Sequence, residues 1–553
     1  MSDNTSNFIF NEIDRDIADG KYAPEDIYTR FPPEPNGYLH IGHAKAISIN
    51  FSVKERYHSR TNLRFDDTNP SKEDTSYVDA IQEDIRWLGY EWDGLFWASS
   101  YFQKDYEYAK ELISKGLAYV DDQTPEEIKA NRGTLTQPGT DSPFRNRSAE
   151  ENLELFENMK NGMYPAGSRV LRAKIDMASP NMNMRDPVIY RINYEPHHNT
   201  GTEWCIYPMY DYAHPIEDAI EGITHSLCSL EFEDHRPLYD WVLENLDDYK
   251  VRRPRQIEFA RLNITNTVVS KRYLRSLVEN GVVDGWDDPR MPTICGMRRR
   301  GITPAAIRNF MTEIGVAKAD SVIDQAQFDY FIRDDLIKTS KRIMGVTDPV
   351  KLTIENWPEG ETEYIDVPYI MDDEASETRK VPFGKHLLIE RADFEEVPPK
   401  KYYRLFPGNE VRLMGAYFVT CTGCVKDENG NVTEVKCTYD PATRSGSGFS
   451  ERKVKGTIHW VNADENVECE IHELNPLILD GADSSNFLDN VNPDSLVVKK
   501  GYVEISAKDA APGERFQFVR NGFYCVDTKY SAPGRPVFNM TTGMKSTWRP
   551  EKN

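Results

Sequence analysis

With 553 residues, 39% of them hydrophobic and 28% charged, the chain has the composition of a globular protein and the length for several domains, each able to bury its own core. No apolar run approaches the ~20 residues that cross a bilayer, and the polar, acidic start Met1-Ser2-Asp3-Asn4-Thr5 reads as neither a signal nor a transit peptide, so a cytoplasmic location is expected. A net charge of −23 alone argues against a polyanionic partner, but what matters is where basic residues lie, and Arg252-Arg253-Pro254-Arg255 and Arg298-Arg299-Arg300 are local basic clusters, each also readable as a solvated face.

The first informative unit runs from Asp26 to Asp67. Ile27 to Phe31 reads as a strand, Pro32, Pro33, Pro35 and Gly37 force a loop, and a helix follows from about Leu39 to Tyr57. Ala46, Ile49, Val53 and Tyr57 share one helical face, and Thr61 to Phe65 reads as a second strand ending at Asp66-Asp67. Strand–helix–strand is the building block of a parallel sheet, which binds ligands at the carboxyl ends of its strands. A further helix over Tyr106–Lys115 stops at Gly116. The loop-rich stretch to Trp204 reads as an insertion, in which Ser148 with Glu151 makes a capping box before a helix carrying Leu153 and Phe156. Strand signals return at Trp204-Cys205-Ile206-Tyr207.

From Asn263 to Lys338 the pattern is helical, with Thr303-Pro304 as a start, Ile307, Phe310, Met311 and Ile314 on one face, and Gly315 as a stop. Beyond Ile343 short alternating runs such as Val350 to Ile354, and a hairpin signal at Asn429-Gly430, read as one or two β-barrels. Of the eight cysteines only Cys421 and Cys424 stand at CxxC spacing, with no second pair to complete a metal site, so reduced thiols on strands and no structural zinc are expected.

Two elements carry chemistry. In Pro35-Asn36-Gly37-Tyr38-Leu39-His40-Ile41-Gly42-His43, two histidines three apart open a helix beside unpaired backbone N–H groups and the positive end of the helix dipole, a place for phosphate; Gly42 leaves room for a flat ring. Taken alone, the pair also fits a metal site or two surface histidines. The second element is Val268-Val269-Ser270-Lys271-Arg272, whose lysine could neutralise a transferring phosphate.

Together, Phe31 to Gly37 running into His40-Ile41-Gly42-His43, with Val269-Ser270-Lys271-Arg272 some 230 residues later, resemble the HIGH and KMSKS signatures of class I aminoacyl-tRNA synthetases. Arg64 to Pro70 is similar to a stretch shared by the glutamyl and glutaminyl enzymes. Val269 departs from the usual methionine and is expected to tune loop packing. The resemblance implies a multidomain α/β plus all-β fold: a Rossmann-type domain over 1–100 and 205–262, an acceptor-end insertion over 101–204, a helical domain over 263–338 and two anticodon-binding β-barrels over 339–553. It implies ATP with Mg²⁺ as substrate, tRNA as partner and a monomer. His40, His43 and Lys271 would stabilise charge on the phosphates. Glu34, Pro35, Asn36, Ile41, Gly42, Ala44, Lys45, Ala46, Ser229, Arg261, Leu262, Val269 and Ser270 would complete the ATP site.

Glutamine is the amino acid implied, because the position of Cys228 is typically arginine in related glutamyl enzymes, and a glutamate site should offer a cation where a glutamine site should not. By the same resemblance Asp66 would bind the α-ammonium, Arg30 support the carboxylate, Tyr210 contact the side-chain amide, and His214 and Gln256 stand behind them. Leu135 would wedge open the first acceptor pair and Pro180 and Asp234 read the next from the minor groove. Arg342, Arg404, Gln517 and Arg520 would meet the anticodon. A glutamyl enzyme with β-barrel domains, or a catalytically silent tRNA-binding relative, is the alternative.

Overall fold

The structure is a computed structural model that describes residues 7–71, 75–250, 253–370, 376–479, 487–545 and 548, so the first residues of the chain and Arg252 of the basic cluster lie outside the described residues. It divides into two compact units, 1–263 with 311–322, and 264–310 with 323–553, a coarser division than the four parts expected.

The first unit opens with α1 (Phe8–Ala18), which the sequence reading passed over; Asn7 caps it by accepting the Phe10 amide. β1 (Tyr28–Phe31), α2 (Ile41–Tyr57) and β2 (Arg60–Phe65) form the expected strand–helix–strand unit, with Arg30 opposite Asn62 in a parallel ladder. After α3 (Thr75–Trp87), β3 (Leu95–Trp97) joins the far edge of β2. On the near side, the Thr224 amide donates to the Tyr28 carbonyl at 3.0 Å, setting β8 (His225–Ser229) beside β1, and β9 (Arg255–Phe259) pairs with β8. The strand order is therefore β3-β2-β1-β8-β9, all parallel where laddered, so sheet carboxyl ends gather at one edge. Ile49, Val53 and Tyr57 of α2 pack on Ile9 and Ile13 of α1 and on Leu227, Ile257 and Phe259, as the helical spacing required.

Between β3 and β8 lie α4 (Phe102–Ser114), β4 (Ala118–Asp121), α5 (Pro125–Asn131), α6 (Ala149–Lys160), β5 (Val170–Ala173), β6 (Val188–Ile192), β7 (Ile206–Pro208) and α7 (Tyr210–Glu221), and α8 (Arg236–Glu244) lies between β8 and β9. The strand signal at Trp204–Tyr207 is real, but β7 pairs antiparallel with β6 in the four-stranded insertion sheet and does not return to the parallel sheet. Burial on both faces explains the apolar run: Trp204, Ile206 and Tyr207 share a core with α4, α6 and α7. Ser148 caps α6 by accepting the Glu151 amide, but the Glu151 carboxylate pairs with Arg147 at 3.2 Å, so the expected capping box is half made.

The helical stretch is supplied by α9 (Lys271–Glu279), α10 (Ile294–Arg300) and α12 (Gln325–Thr339) of the second unit and by α11 (Pro304–Ile314), which belongs to that unit only up to residue 310. Two seven-stranded sheets follow, one built from strands between 349 and 462, the other from 341–346 and 466–543. Each has its own core, the first around Trp460, Phe383 and Trp357, the second around Phe518, Phe538 and Tyr524. The Asn429-Gly430 hairpin joins Phe418–Lys426 to Val432–Asp440 through a five-residue turn, not a two-residue one: Asp427 Oδ1 accepts the amides of Asn429 and Asn431 while Gly430 takes φ +83°. All eight cysteines are free thiols; Cys421 is buried opposite Cys437 across the ladder, whereas Cys424 stands opposite Val435.

Candidate active site

The two signature histidines hold each other. His40 is the N-cap of α2: its Nδ1 accepts the Gly42 amide at 3.1 Å, and His43 Nδ1 accepts the His40 amide at 3.1 Å, a reciprocal capping box made of imidazoles with ring centroids 3.8 Å apart. An imidazole whose Nδ1 accepts carries its proton, when neutral, on Nε2, so both rings are set as Nε2–H donors at the positive end of α2. A side chain at Gly42 would crowd this cap, since a Cβ there would sit 3.0 Å from Cε1 and Nδ1 of His40. Pro35, Asn36, Ile41, Ala44 and Lys45 are buried, while Glu34, His40, Gly42, His43 and Ala46 reach the surface. Asn36 Nδ2 donates to Glu34, and burial pushes the Lys45 ammonium down against the pull of Asp320. Ser229 Oγ and Arg261 Nη1 both meet the Glu231 carboxylate, at 2.7 and 3.2 Å, and Leu262 is buried.

Asp66 ends β2, half-buried, with Thr68 Oγ1 donating at 2.9 Å. Burial and the neighbouring Glu34 carboxylate push its carboxyl up to about 6, against that hydrogen bond and Arg64. Among the described residues no cationic side chain forms an ion pair with it.

Behind Asp66 lies a buried charge cluster that joins four of the expected residues. Arg30, fully enclosed, donates from Nε to Asp218 (3.0 Å) and from Nη1 to the Leu227 carbonyl (2.9 Å). Its Nη2 contacts His214 Nε2 (2.5 Å), Ser226 Oγ (2.7 Å) and Cys228 Sγ (3.5 Å). Arg64 meets Asp218 (2.7 Å), Glu217 (3.0 Å), Glu221 (3.1 Å) and His214 Nδ1 (3.1 Å). Burial and the two guanidiniums push the His214 imidazole well below its ordinary range, so it is neutral. Tyr210, at the start of α7, stacks on His214 with centroids 4.8 Å apart and leans on Phe232. Cys228 is buried and its thiol is pushed up. Gln256 lies farther along β9, its Nε2 donating to the Phe232 carbonyl and to Glu258.

Arg64, Glu217, Asp218, Glu221 and Ser226 were not among the expected residues. A signal existed: His214, Glu217, Asp218 and Glu221 stand at i, i+3, i+4 and i+7, one face of α7, and acids on a buried face require cations opposite. A second missed cluster joins Asp67, His197 and His198, whose potential ligand atoms lie within 4.8 Å of one another. His197 Nδ1 accepts the Asn199 and Thr200 amides, which puts its proton on Nε2, facing the Asp67 carbonyl at 2.6 Å. The Asp67 carboxylate takes Ser99 N, Ser99 Oγ and Asn199 Nδ2. Its chemistry is that of a strap between loops.

The expected tRNA residues fall into two places. In the insertion, Leu135 is 80% exposed at the tip of a turn, and Pro180 and Asp234 are exposed. Arg185, unforeseen, braces them: its Nη1 donates to the carbonyls of Arg132, Thr134 and Gln137, and its Nε to that of Ser179. Asn181 Nδ2 donates to the Asp234 carbonyl at 2.7 Å. In the barrels, Arg342 Nε donates to Gln517 Oε1 at 3.1 Å, and Arg520 and Arg404 converge on Asp393. Val269 and Ser270 lead into α9, whose first residue is Lys271; Ser270 is its N-cap.

A family model for tRNA synthetases class I (E and Q), catalytic domain, matches residues 26–338, and models for the anti-codon binding domain of the same enzymes match 340–440 and 457–527. Among curated proteins, the chain is 58% identical to a glutamine–tRNA ligase of Clostridium perfringens over 551 residues, 99% of each chain. It is 57% identical to one from Clostridium kluyveri (100% and 99% covered) and 55% identical to one from Bradyrhizobium diazoefficiens (98% and 97% covered).

Proposed function

The chain belongs to the class I (E and Q) tRNA synthetases, and from that premise we propose that it ligates L-glutamine to its cognate tRNA through a glutaminyl-adenylate, releasing diphosphate and AMP. The observation that carries the choice of glutamine is Cys228: a small, neutral, buried side chain beside Tyr210 and against a guanidinium already matched by Asp218. Relatives named glutamine–tRNA ligases over nearly their full length support it.

In the first step a carboxylate oxygen of glutamine attacks the α-phosphorus of ATP, which enters as its Mg²⁺ complex, and diphosphate leaves. In the second, the terminal 2′-hydroxyl of tRNA attacks the acyl carbon and AMP leaves. Neither step needs a protein nucleophile; positioning and charge stabilisation supply the rate. His40 and His43 donate Nε2–H to the phosphates, with Lys271 adding its charge, and the exposed edge of α2's first turn and Ser229, Arg261, Val269 and Ser270 hold the nucleotide. Asp66 receives the α-ammonium, which supplies the cation its half-buried carboxylate lacks. Tyr210 meets the side-chain amide, and Arg30, enclosed behind the wall, acts through His214 and Cys228. Leu135, Pro180 and Asp234 engage the acceptor end, and Arg342, Arg404, Gln517 and Arg520 the anticodon loop. No helix among the described residues is long and apolar enough to cross a membrane, in keeping with a cytoplasmic site for this reaction.

The test is Cys228→Arg, assayed by kcat/KM for glutamine and for glutamate. A cation in the wall should lower the preference for glutamine by about tenfold or more. Unchanged discrimination would remove Cys228 from the pocket.

A further inference from the structure

Asp66 is aimed by its main chain. Among the described residues its carboxylate receives one side-chain donor, Thr68 Oγ1 at 2.9 Å, so its direction is set by the peptides on either side. Upstream, the Asp66 amide donates to the Pro33 carbonyl at 3.1 Å, tying the end of β2 to the loop that leads into α2. Downstream, the chain is held through Asp67, which is fully buried. The Asp67 carboxylate accepts the Ser99 amide (2.8 Å), Ser99 Oγ (2.7 Å) and Asn199 Nδ2 (3.0 Å), and lies 3.0 Å from His198 Nε2. Its carbonyl lies 2.6 Å from His197 Nε2.

His197 is set up to make that last contact. It sits in the loop between β6 and β7, closed by a reciprocal pair of backbone bonds with Gly201, both 2.8 Å. Its Nδ1 accepts the Asn199 and Thr200 amides at 3.1 and 3.2 Å, so the neutral ring carries its proton on Nε2 and donates it to the Asp67 carbonyl. Burial pushes the imidazole below its ordinary range, which favours the neutral ring. The ring packs edge-on against Phe102 and flat against Tyr207, with centroids 5.5 and 6.0 Å away. A proton on Nε2 makes that atom a donor and not a ligand, so the group of Asp67, His197 and His198 reads as a clamp rather than a cation site.

We propose that His197 is a positioning residue for the amino-acid site: its Nε2–H holds the Asp67 carbonyl, and with it the main chain that points the Asp66 carboxylate at the substrate α-ammonium. This rests on the reading of Asp66 as the receptor of that ammonium. His197 does not touch substrate; it acts through Asp67 on Asp66. A charge-assisted contact is strong only at hydrogen-bond distance, and a displacement of about 1 Å forfeits much of it.

The experiment measures kcat and the KM for glutamine, ATP and tRNA in wild type, His197→Phe, His197→Gln, and Asp66→Asn alone and combined with His197→Phe. His197→Phe keeps a ring against Phe102 and Tyr207 and removes the donor. The KM for glutamine should rise about tenfold, the scale of one weakened charge-assisted contact, while the KM for ATP and for tRNA change by less than about twofold. His197→Gln puts an amide nitrogen near the place of Nε2 and should recover most of the loss. Because the effect runs through Asp66, adding His197→Phe to Asp66→Asn should raise the KM for glutamine little further. An unchanged KM for glutamine in His197→Phe, an equal rise in all three KM values, or a full additional rise on top of Asp66→Asn would each overturn the proposal. Should His197→Phe not fold, His197→Asn carries the same test: its side-chain oxygen can accept the Asn199 and Thr200 amides, while its shorter reach leaves the Asp67 carbonyl without this donor. Asp66→Asn separates the two ideas. If it raises the KM for glutamine and His197→Phe does not, only the role of His197 falls. If neither raises it, the reading of Asp66 falls and the proposal with it.

Discussion

His43 Nδ1 accepts the backbone amide of His40 at 3.1 Å, so the second signature histidine is fastened to the first through the cap of the helix that presents both. The cap and the chemistry use different nitrogens of one ring. His43→Asn should keep an acceptor for the His40 amide and lose the Nε2 donor. Adenylate formation, read as ATP–diphosphate exchange with tRNA present, should fall about 10²-fold, the scale of losing one transition-state donor, with the unfolding midpoint little changed. His43→Ala should add a cap loss of about 1 kcal/mol to the same rate defect. A rate defect confined to the alanine variant would assign His43 to the cap alone.

Lys271 opens α9 in the second unit, and its proposed role is electrostatic. Lys271→Ala should cut adenylate formation about 10²-fold or more while leaving acylation of tRNA from preformed adenylate less affected. Near-normal exchange would take it out of the mechanism.

Asp66 gives a pH dependence. Its carboxyl is pushed up to about 6 by burial and by Glu34, so the empty site holds a proton below that pH and is anionic above it. Binding of an α-ammonium needs the anion. The kcat/KM for glutamine should therefore fall as pH drops through about 6, while kcat at saturating glutamine falls at a lower pH. For stability the sign is opposite: the folded state holds this proton more tightly than the unfolded chain, so this group's contribution declines as pH rises from about 4 toward 6. Flat kcat/KM between pH 5 and 7 would contradict the assignment.

Asp105 offers a stability test away from the chemistry. It is buried on α4, neither carboxyl oxygen has a hydrogen-bond partner among the described residues, and burial pushes its carboxyl well above the usual range, with Arg64 opposing. The folded state binds a proton that the unfolded chain releases above about pH 4, so Asp105 weakens the fold by up to about 1.4 kcal/mol per pH unit as pH rises toward its folded value. Asp105→Asn should raise the unfolding midpoint, and by more at pH 8 than at pH 6. An equal change at both would show that charge is not the cause.

Arg185 braces the Leu135 turn through three carbonyls and the Pro180 turn through a fourth. Arg185→Met should raise the KM for tRNA roughly tenfold, the scale of one or two lost charge-assisted hydrogen bonds, and leave the KM for ATP unchanged. Equal rises in both would point to a general defect of the unit.

What the sequence made legible was local. The strand–helix–strand unit around His40 follows from proline punctuation and the Ala46, Ile49, Val53, Tyr57 face, and the structure keeps it. The strand at Ile206 was legible and its partner was not, because pairing with β6 is a non-local fact. Arg30 and Arg64 look like ordinary strand residues in one dimension; only the acids of α7 packed against them disclose a buried cluster. The two histidines were found by spacing, whereas their mutual cap depends on ring orientation, which spacing does not encode. Helix α1 was missed although Ile9, Ile13 and Ile17 repeat at helical spacing.

The most direct test of the central claim is aminoacylation of total tRNA with labelled glutamine and, in parallel, labelled glutamate, each with ATP and Mg²⁺. The neutral wall at Cys228 predicts charging with glutamine alone; charging with glutamate at a comparable rate would contradict it.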